Sequence, residues 1–181
     1  MNADEGSAFG GYGKTTAAAF RERARTQFGE QAAQFLAIYP AATDADAGRV
    51  QVQSAREGAL VSLQQLASAR AGTAKTPAFL YYFDRAIPWP EHPEFGAFHT
   101  GEVPYVFGNL TLLKRPWTAV DRRLAAEVSS YWVRFATNGN PNGRGAPAWP
   151  AFTPSSPAVM VLGETTRPRT LRAPSNASAR R

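Results

Sequence analysis

Apolar residues recur along this chain at two different spacings, and the change from one to the other divides it. Between residues 15 and 69 the spacing is helical. Phe20, Ala24 and Phe28 fall at i, i+4 and i+8 with charges opposite, which predicts a helix over 15–28, capped by Thr15 or Thr16 and stopped by Gly29. A second helix is predicted over Glu30–Tyr39, with Ala33, Leu36 and Ala37 inward and Pro40 ending it. A longer one runs from the Asp44–Asp46 region to about Ala69, through Val52, Ala55, Ala59, Leu63, Leu66 and Ala67. Gly58 inside it costs about 1 kcal/mol relative to alanine and marks a candidate break. Residues 70–77 read as linker. Then the pattern changes. Ala78-Phe79-Leu80-Tyr81-Tyr82-Phe83 is an unbroken apolar run between Pro77 and Asp84. A run of that length without alternation predicts a strand covered on both faces, as in a parallel sheet packed between helices. The helical spacing returns over 118–138, with Thr118 as N-cap, Asp121 closing a capping box, and Val120, Leu124, Val128, Tyr131, Trp132 and Phe135 as the apolar stripe up to Gly139. Turn residues fill 138–143. Short strands are predicted at Val159–Leu162 and around Thr170–Arg172, and residues 173–181 form a polar tail read as disordered. The domain is therefore 1–172, of α/β class with few strands and several helices.

Composition narrows the chemistry. The 181 residues amount to one domain's worth of chain, or part of a larger one, and 44% apolar content is enough for a sizeable core. No apolar run reaches the length of a membrane helix, and the first residues, Met1-Asn-Ala-Asp-Glu, carry no secretory signal. With 0 cysteines there is no disulfide, thiolate nucleophile or cysteine-bound zinc, and with 2 histidines no histidine-rich metal site is expected. No cofactor is implied. The net charge of +6 comes from scattered arginines with no aromatic-rich basic stripe, so a solvated surface is preferred to a nucleic-acid partner. Asn176-Ala-Ser178 matches a glycosylation sequon, a pattern frequent by chance.

Two segments hold candidate chemistry. Phe95-Gly-Ala-Phe98-His99-Thr-Gly-Glu102-Val-Pro-Tyr105 follows the 78–83 strand across the proline-rich loop 84–94, placing His99 beyond a strand's carboxyl end. Open α/β sheets put their ligands there. A lone histidine in such a place is more often a satisfied structural residue than a general base. The second segment is Asp4-Glu5-Gly6-Ser7, in a glycine-rich loop near the start, where a solvated turn is the plainer reading of the acidic pair. His92, between prolines, reads as exposed.

Taken together, these segments resemble the type-B carboxylesterases, the α/β-hydrolase family that includes the cholinesterases. Asp4-Glu5-Gly6-Ser7 is similar to the family's acid loop. His99, Glu102, Tyr105, Val106, Phe107 and Gly108 fit its His-x-x-Glu-x-x-[Phe/Tyr]-Val-Phe-Gly block. Trp132-Val-Arg-Phe135-Ala136 with Gly139-Asn140-Pro141-Asn142 is similar to its last long helix and turn, and Trp149-Pro150 to the tryptophan-proline beyond. The four occur in the family's order and cover nearly the whole chain.

The resemblance implies the C-terminal part of an α/β-hydrolase fold, a small-molecule carboxylic ester as substrate, Glu5 as triad acid, His99 as triad base, and Glu102 and Ser7 as supporting residues. It also implies what to look for and not find. The chain contains no Gly-x-Ser-x-Gly nucleophile turn, no glycine-rich oxyanion loop, and only part of the sheet. The expectations that follow are an N-terminally truncated chain without turnover of its own, an open apolar edge on the histidine-side strand, and dependence on the missing N-terminal part for folding. Any signal peptide would lie upstream, so localisation is left open, export being one possibility by family analogy. The competing expectation is an esterase-like binding or adhesion module that does not catalyse.

Overall fold

The computed structural model describes residues 1–8 and 10–171; the tail at 173–181, its sequon at Asn176, and Arg172 lie outside them. The chain forms two compact units, one of residues 1–5 with 61–181 and one of residues 6–60.

The 6–60 unit is helical: α1 (Ala17–Phe28), α2 (Ala32–Ile38) after a short 3-10 turn, and the first part of α3 (Asp44–Ala71). Thr16 caps α1, accepting from the Ala19 N–H at 3.1 Å. Phe35 stacks on Phe28 at 4.3 Å and meets Tyr39 at 4.9 Å, above a core of Ala17, Phe20, Ala47 and Val50. The inner face of α2 is thus Ala32, Phe35, Leu36 and Tyr39, while Ala33 and Ala37 face solvent. Two large aromatic rings displace the alanines that the spacing alone put inward. Backbone approach explains Gly48, where a Cβ would stand 2.3 Å from the Gly13 carbonyl oxygen. α3 passes through Gly58 unbroken. Leu66, predicted inward, is 69% exposed, and Gln64 and Ala67 are the buried positions of that turn.

The other unit is built on three strands in the order β1-β2-β3: β1 (Tyr81–Phe83), β2 (Ala158–Leu162) and β3 (Arg167–Thr170). β1 runs parallel to β2, with Tyr81 opposite Met160 and Phe83 opposite Leu162, and β3 closes antiparallel. All of β2 is buried, as a strand covered on both faces must be. β1 is shorter than the predicted 78–83, and the run before it leaves the β2 ladder at Ala78, which bridges to Phe152 instead. The Ala78 carbonyl accepts from Phe152 N at 2.7 Å, and the Leu80 carbonyl takes both Met160 N and the Trp149 indole N–H.

α5 (Ala119–Asn138) packs its stripe against this sheet. Leu124, Val128 and Tyr131 are buried, Trp132 meets Tyr81 at 5.3 Å, and the capping box of Thr118 and Asp121 is formed. The turn after α5 is locked by Asn142, whose amide accepts from Trp149 N at 2.6 Å and donates to Trp149 O at 2.9 Å. The Gly-Asn-Pro-Asn and Trp-Pro motifs are therefore two halves of one bonded corner, and they hang Trp149 against Tyr131 at 5.1 Å.

Asp121 does more than cap. Its side chain is fully buried and takes Arg85 Nε at 2.7 Å on one oxygen and Arg85 guanidinium nitrogen at 3.0 Å on the other. The Tyr105 hydroxyl donates to it at 2.8 Å, as do the Thr118 hydroxyl and N–H. Burial alone would raise its pKa, but the bonds from Arg85, Thr118 and Tyr105 win and hold it well below the usual carboxylate range. The folded value lies below the unfolded one of about 3.9, so this stabilisation is present at neutral pH and is lost as pH falls through the folded value. Asp121→Asn, which strands Arg85, is expected to lower the unfolding free energy by about 3 kcal/mol at pH 7 in urea titration, and by less as the pH drops below about 4.

Candidate active site

The acid segment reaches the histidine segment by pairing as a strand. The Phe83 N–H donates to Met1 O at 2.9 Å and Ala3 N–H to Phe83 O at 2.8 Å, making a parallel bridge at Asn2 and Phe83. Two residues on, Asp4 N–H donates to Ala97 O at 3.0 Å, with Asp4 bridged to Phe98. The outer side of β1, expected to be left open, thus carries residues 1–3. The Asp4 carboxylate, read from sequence as a solvated turn, is 7% exposed and accepts from Ala97 N at 3.1 Å. It needs Gly96, where φ is +56° and a Cβ would meet Asp4 Oδ2 at 2.5 Å.

This pairing sets Glu5 beside His99. Glu5 Oε2 lies 2.7 Å from His99 Nδ1, across 94 positions of sequence, and Glu5 Oε1 accepts from Asn2 N–H at 2.6 Å. An ionised carboxylate only accepts, so the contact calls for a proton on Nδ1, and in the neutral ring Nε2 then keeps its lone pair. The His99 side chain is 64% exposed and Glu5 37%. His99 sits in a turn that leads to α4 (Val103–Val106), and Thr100 beside it holds φ at +66°, a left-handed conformation that costs a non-glycine residue about 1 kcal/mol or more.

Glu102 stands behind the pair. One oxygen accepts the Tyr81 hydroxyl at 3.0 Å and the other the Asn2 amide at 2.6 Å. Burial, reinforced by that carboxylate, pushes the Tyr81 phenol well above its ordinary pKa, so it remains a donor. Glu5, His99 and Glu102 are therefore brought together. Ser7 is buried at the start of the 6–60 unit, whereas the bonds on Glu5 run to Asn2 and His99. His92 is half-exposed and stacks on Phe95 at 4.7 Å.

Sequence reasoning missed Asn2, Asp4, Tyr81 and the Arg85–Asp121–Tyr105 network. Asp121 left a signal as a capping residue, Tyr81 as part of the predicted strand, and Asp4 and Tyr105 as members of family-like motifs, but none showed its partners. Among the described residues no group of three or more histidine, cysteine or acidic side chains is placed to hold a metal.

The Carboxylesterase family profile matches residues 13–179. The chain belongs to that family. It is 32% identical over 160 residues to fumonisin B1 esterase of Sphingopyxis macrogoltabida, covering 83% of this chain and 29% of that protein. It is 35% identical over 103 residues to para-nitrobenzyl esterase of Bacillus subtilis (strain 168), covering 54% of this chain and 20% of that one. Among solved structures, a thermophilic PNB esterase superposes with a TM-score of 0.68 at 26% identity, covering 92% of this chain and 34% of that chain. The chain thus spans about a third or less of these relatives. Its fold is a partial α/β-hydrolase. No helix among the described residues is long and apolar enough to cross a membrane.

If Gly96 is what lets Asp4 approach, Gly96→Ala is expected to cost about 1–3 kcal/mol in urea unfolding, because it sets a Cβ at positive φ against a buried carboxylate. An unchanged midpoint would contradict this.

Proposed function

We propose that this chain is the C-terminal, acid- and base-bearing part of a serine carboxylic-ester hydrolase. Glu5 is the triad acid and His99 the general base. The observation that carries the reading is the 2.7 Å contact of His99 Nδ1 with Glu5 Oε2, with Nε2 left free. What further supports it is the family, and relatives named as esterases of fumonisin B1 and of para-nitrobenzyl compounds. A small carboxylic ester is the substrate class these names share.

The mechanism needs a serine that these 181 residues do not present in a nucleophile turn. In esterases of this fold the chain order is serine, acid, histidine, so that serine belongs to a part of the enzyme preceding Glu5. As the serine oxygen attacks the ester carbonyl, its proton passes to His99 Nε2. When the tetrahedral intermediate collapses, the same proton passes to the departing alkoxide and the alcohol leaves. Water then attacks the acyl-enzyme, giving its proton to Nε2, which returns it to the serine as the acid departs. Throughout, Glu5 stays ionised, orients the ring and stabilises the imidazolium. Glu102 takes no proton and keeps the acid and histidine segments together. An esterase-like module that only binds has no need of Glu5 and His99 at hydrogen-bond distance.

The chain by itself is expected to show no turnover of a p-nitrophenyl ester. Placed in the Bacillus subtilis relative in exchange for that protein's matching segment, it is expected to support hydrolysis that falls about 10²–10⁴-fold on His99→Ala. Hydrolysis by the chain alone, abolished by His99→Ala, would contradict the first expectation. A folded, active chimera indifferent to His99→Ala would contradict the assignment of the base.

A further inference from the structure

Asn2 is 1% exposed and is the most heavily used residue around the pair. Its Nδ2 spends both hydrogens, donating to Phe98 O at 2.6 Å and to Glu102 Oε2 at 2.6 Å. Its backbone N–H donates to Glu5 Oε1, also at 2.6 Å. Phe98 is the residue immediately before His99, and Glu102 is tied through its other oxygen to Tyr81 on β1. One residue, through its backbone N–H and its side-chain amide, therefore joins the acid's own turn, the backbone beside the base, and the sheet.

The same residue carries a cost. Asn2 Oδ1 is buried and has no hydrogen-bond partner. A buried acceptor left unsatisfied counts against folding. Turning the amide over does not relieve it, since Oδ1 would then face two oxygens, the Phe98 carbonyl and the Glu102 carboxylate. An apolar side chain would avoid the orphaned oxygen altogether. A residue retained at such cost is explained by what its two donors aim at. A purely stabilising role fits poorly, and a role in fixing geometry fits well.

We infer that Asn2 is a positioning residue, whose side-chain amide holds the Glu5 turn in register with His99 and so fixes the ring with its proton on Nδ1. Its relevance to ester hydrolysis rests on the reading of Glu5 and His99 given above, whereas the bonds themselves do not. Without the amide, residues 1–5 keep their backbone pairing to β1 but lose the tie to Phe98 and Glu102. Glu5 then swings relative to the ring, and the neutral histidine is released to its other tautomer. Glu102 shares the task one step further back, by anchoring Asn2 to Tyr81.

The test is the tautomer ratio of His99 in the 181-residue chain, read from ring nitrogen shifts by NMR at a pH where the ring is neutral. His92→Gln in every sample leaves His99 the sole histidine. The parent chain is expected to favour the Nδ1–H form. Asn2→Ala is expected to shift the ratio toward Nε2–H by about fivefold, the factor that about 1 kcal/mol of hydrogen bonding represents. Glu102→Gln, which keeps volume and shape, is expected to shift it the same way by less. Circular dichroism and melting confirm that each variant is folded. A folded Asn2→Ala with the parent ratio overturns the inference and leaves the triad reading standing. A parent chain that already favours Nε2–H overturns both. Loss of the fold in both variants also overturns it, because the two residues would then be structural supports.

Discussion

Everything chemical in this molecule depends on a few backbone hydrogen bonds between residues 1–4 and the segments at 83 and 97. Loop closure across nearly a hundred residues is entropically costly, and one side-chain contact between partly exposed groups does not offset it. The Glu5–His99 pair is such a contact. It forms because residues 1–4 first lie down as a strand on β1 and then on the histidine segment. The acid is delivered by sheet geometry, and the 2.7 Å contact follows from it. The same pairing buries Asn2 and Asp4, two polar residues that the core admits only because each finds partners on the histidine side.

The histidine segment is held from its other end as well. Tyr105, the buried residue of α4, donates to Asp121, which in turn grips Arg85 just past β1. The loop that carries His99 is thus held by two carboxylates, the half-buried Glu102 and the fully buried Asp121. Glu102 binds it to β1 and the acid segment, and Asp121 binds it to the start of α5. Both carboxylates are fixed by multiple donors, which is the condition under which buried charge is tolerated. The imidazole itself stays exposed. That arrangement suits the role of general base proposed for His99.

The long helices and the strands were legible because burial imposes a period on sequence. Thr118 and Asp121 announced α5, and the apolar run at 78–83 announced the central strand. The terminal pairing was not legible, because three or four residues near a chain start carry no period at all. Asn2 and Asp4 look polar and unremarkable until their partners, some 95 positions away, are known. The inner face of α2 was misread for a related reason: alanine spacing says little where Phe35 and Tyr39 stack on neighbouring rings. The corner made by Asn142 and Trp149 was visible only as two family-like motifs, and its bonds explain why they go together. Glu5 and His99 became readable as a pair through resemblance to a family, since nothing local in either segment demands the other.

The claim that residues 1–4 are strapped into the sheet can be measured directly by native-state amide hydrogen exchange. The N–H groups of Ala3, Asp4, Phe83 and Ala97 are predicted to exchange slowly, with protection approaching that of Met160 in the buried strand β2. Exchange of Ala3 and Asp4 at the rate of an unstructured terminus, with β2 still protected, would contradict the account: the acid would then have no fixed place beside His99.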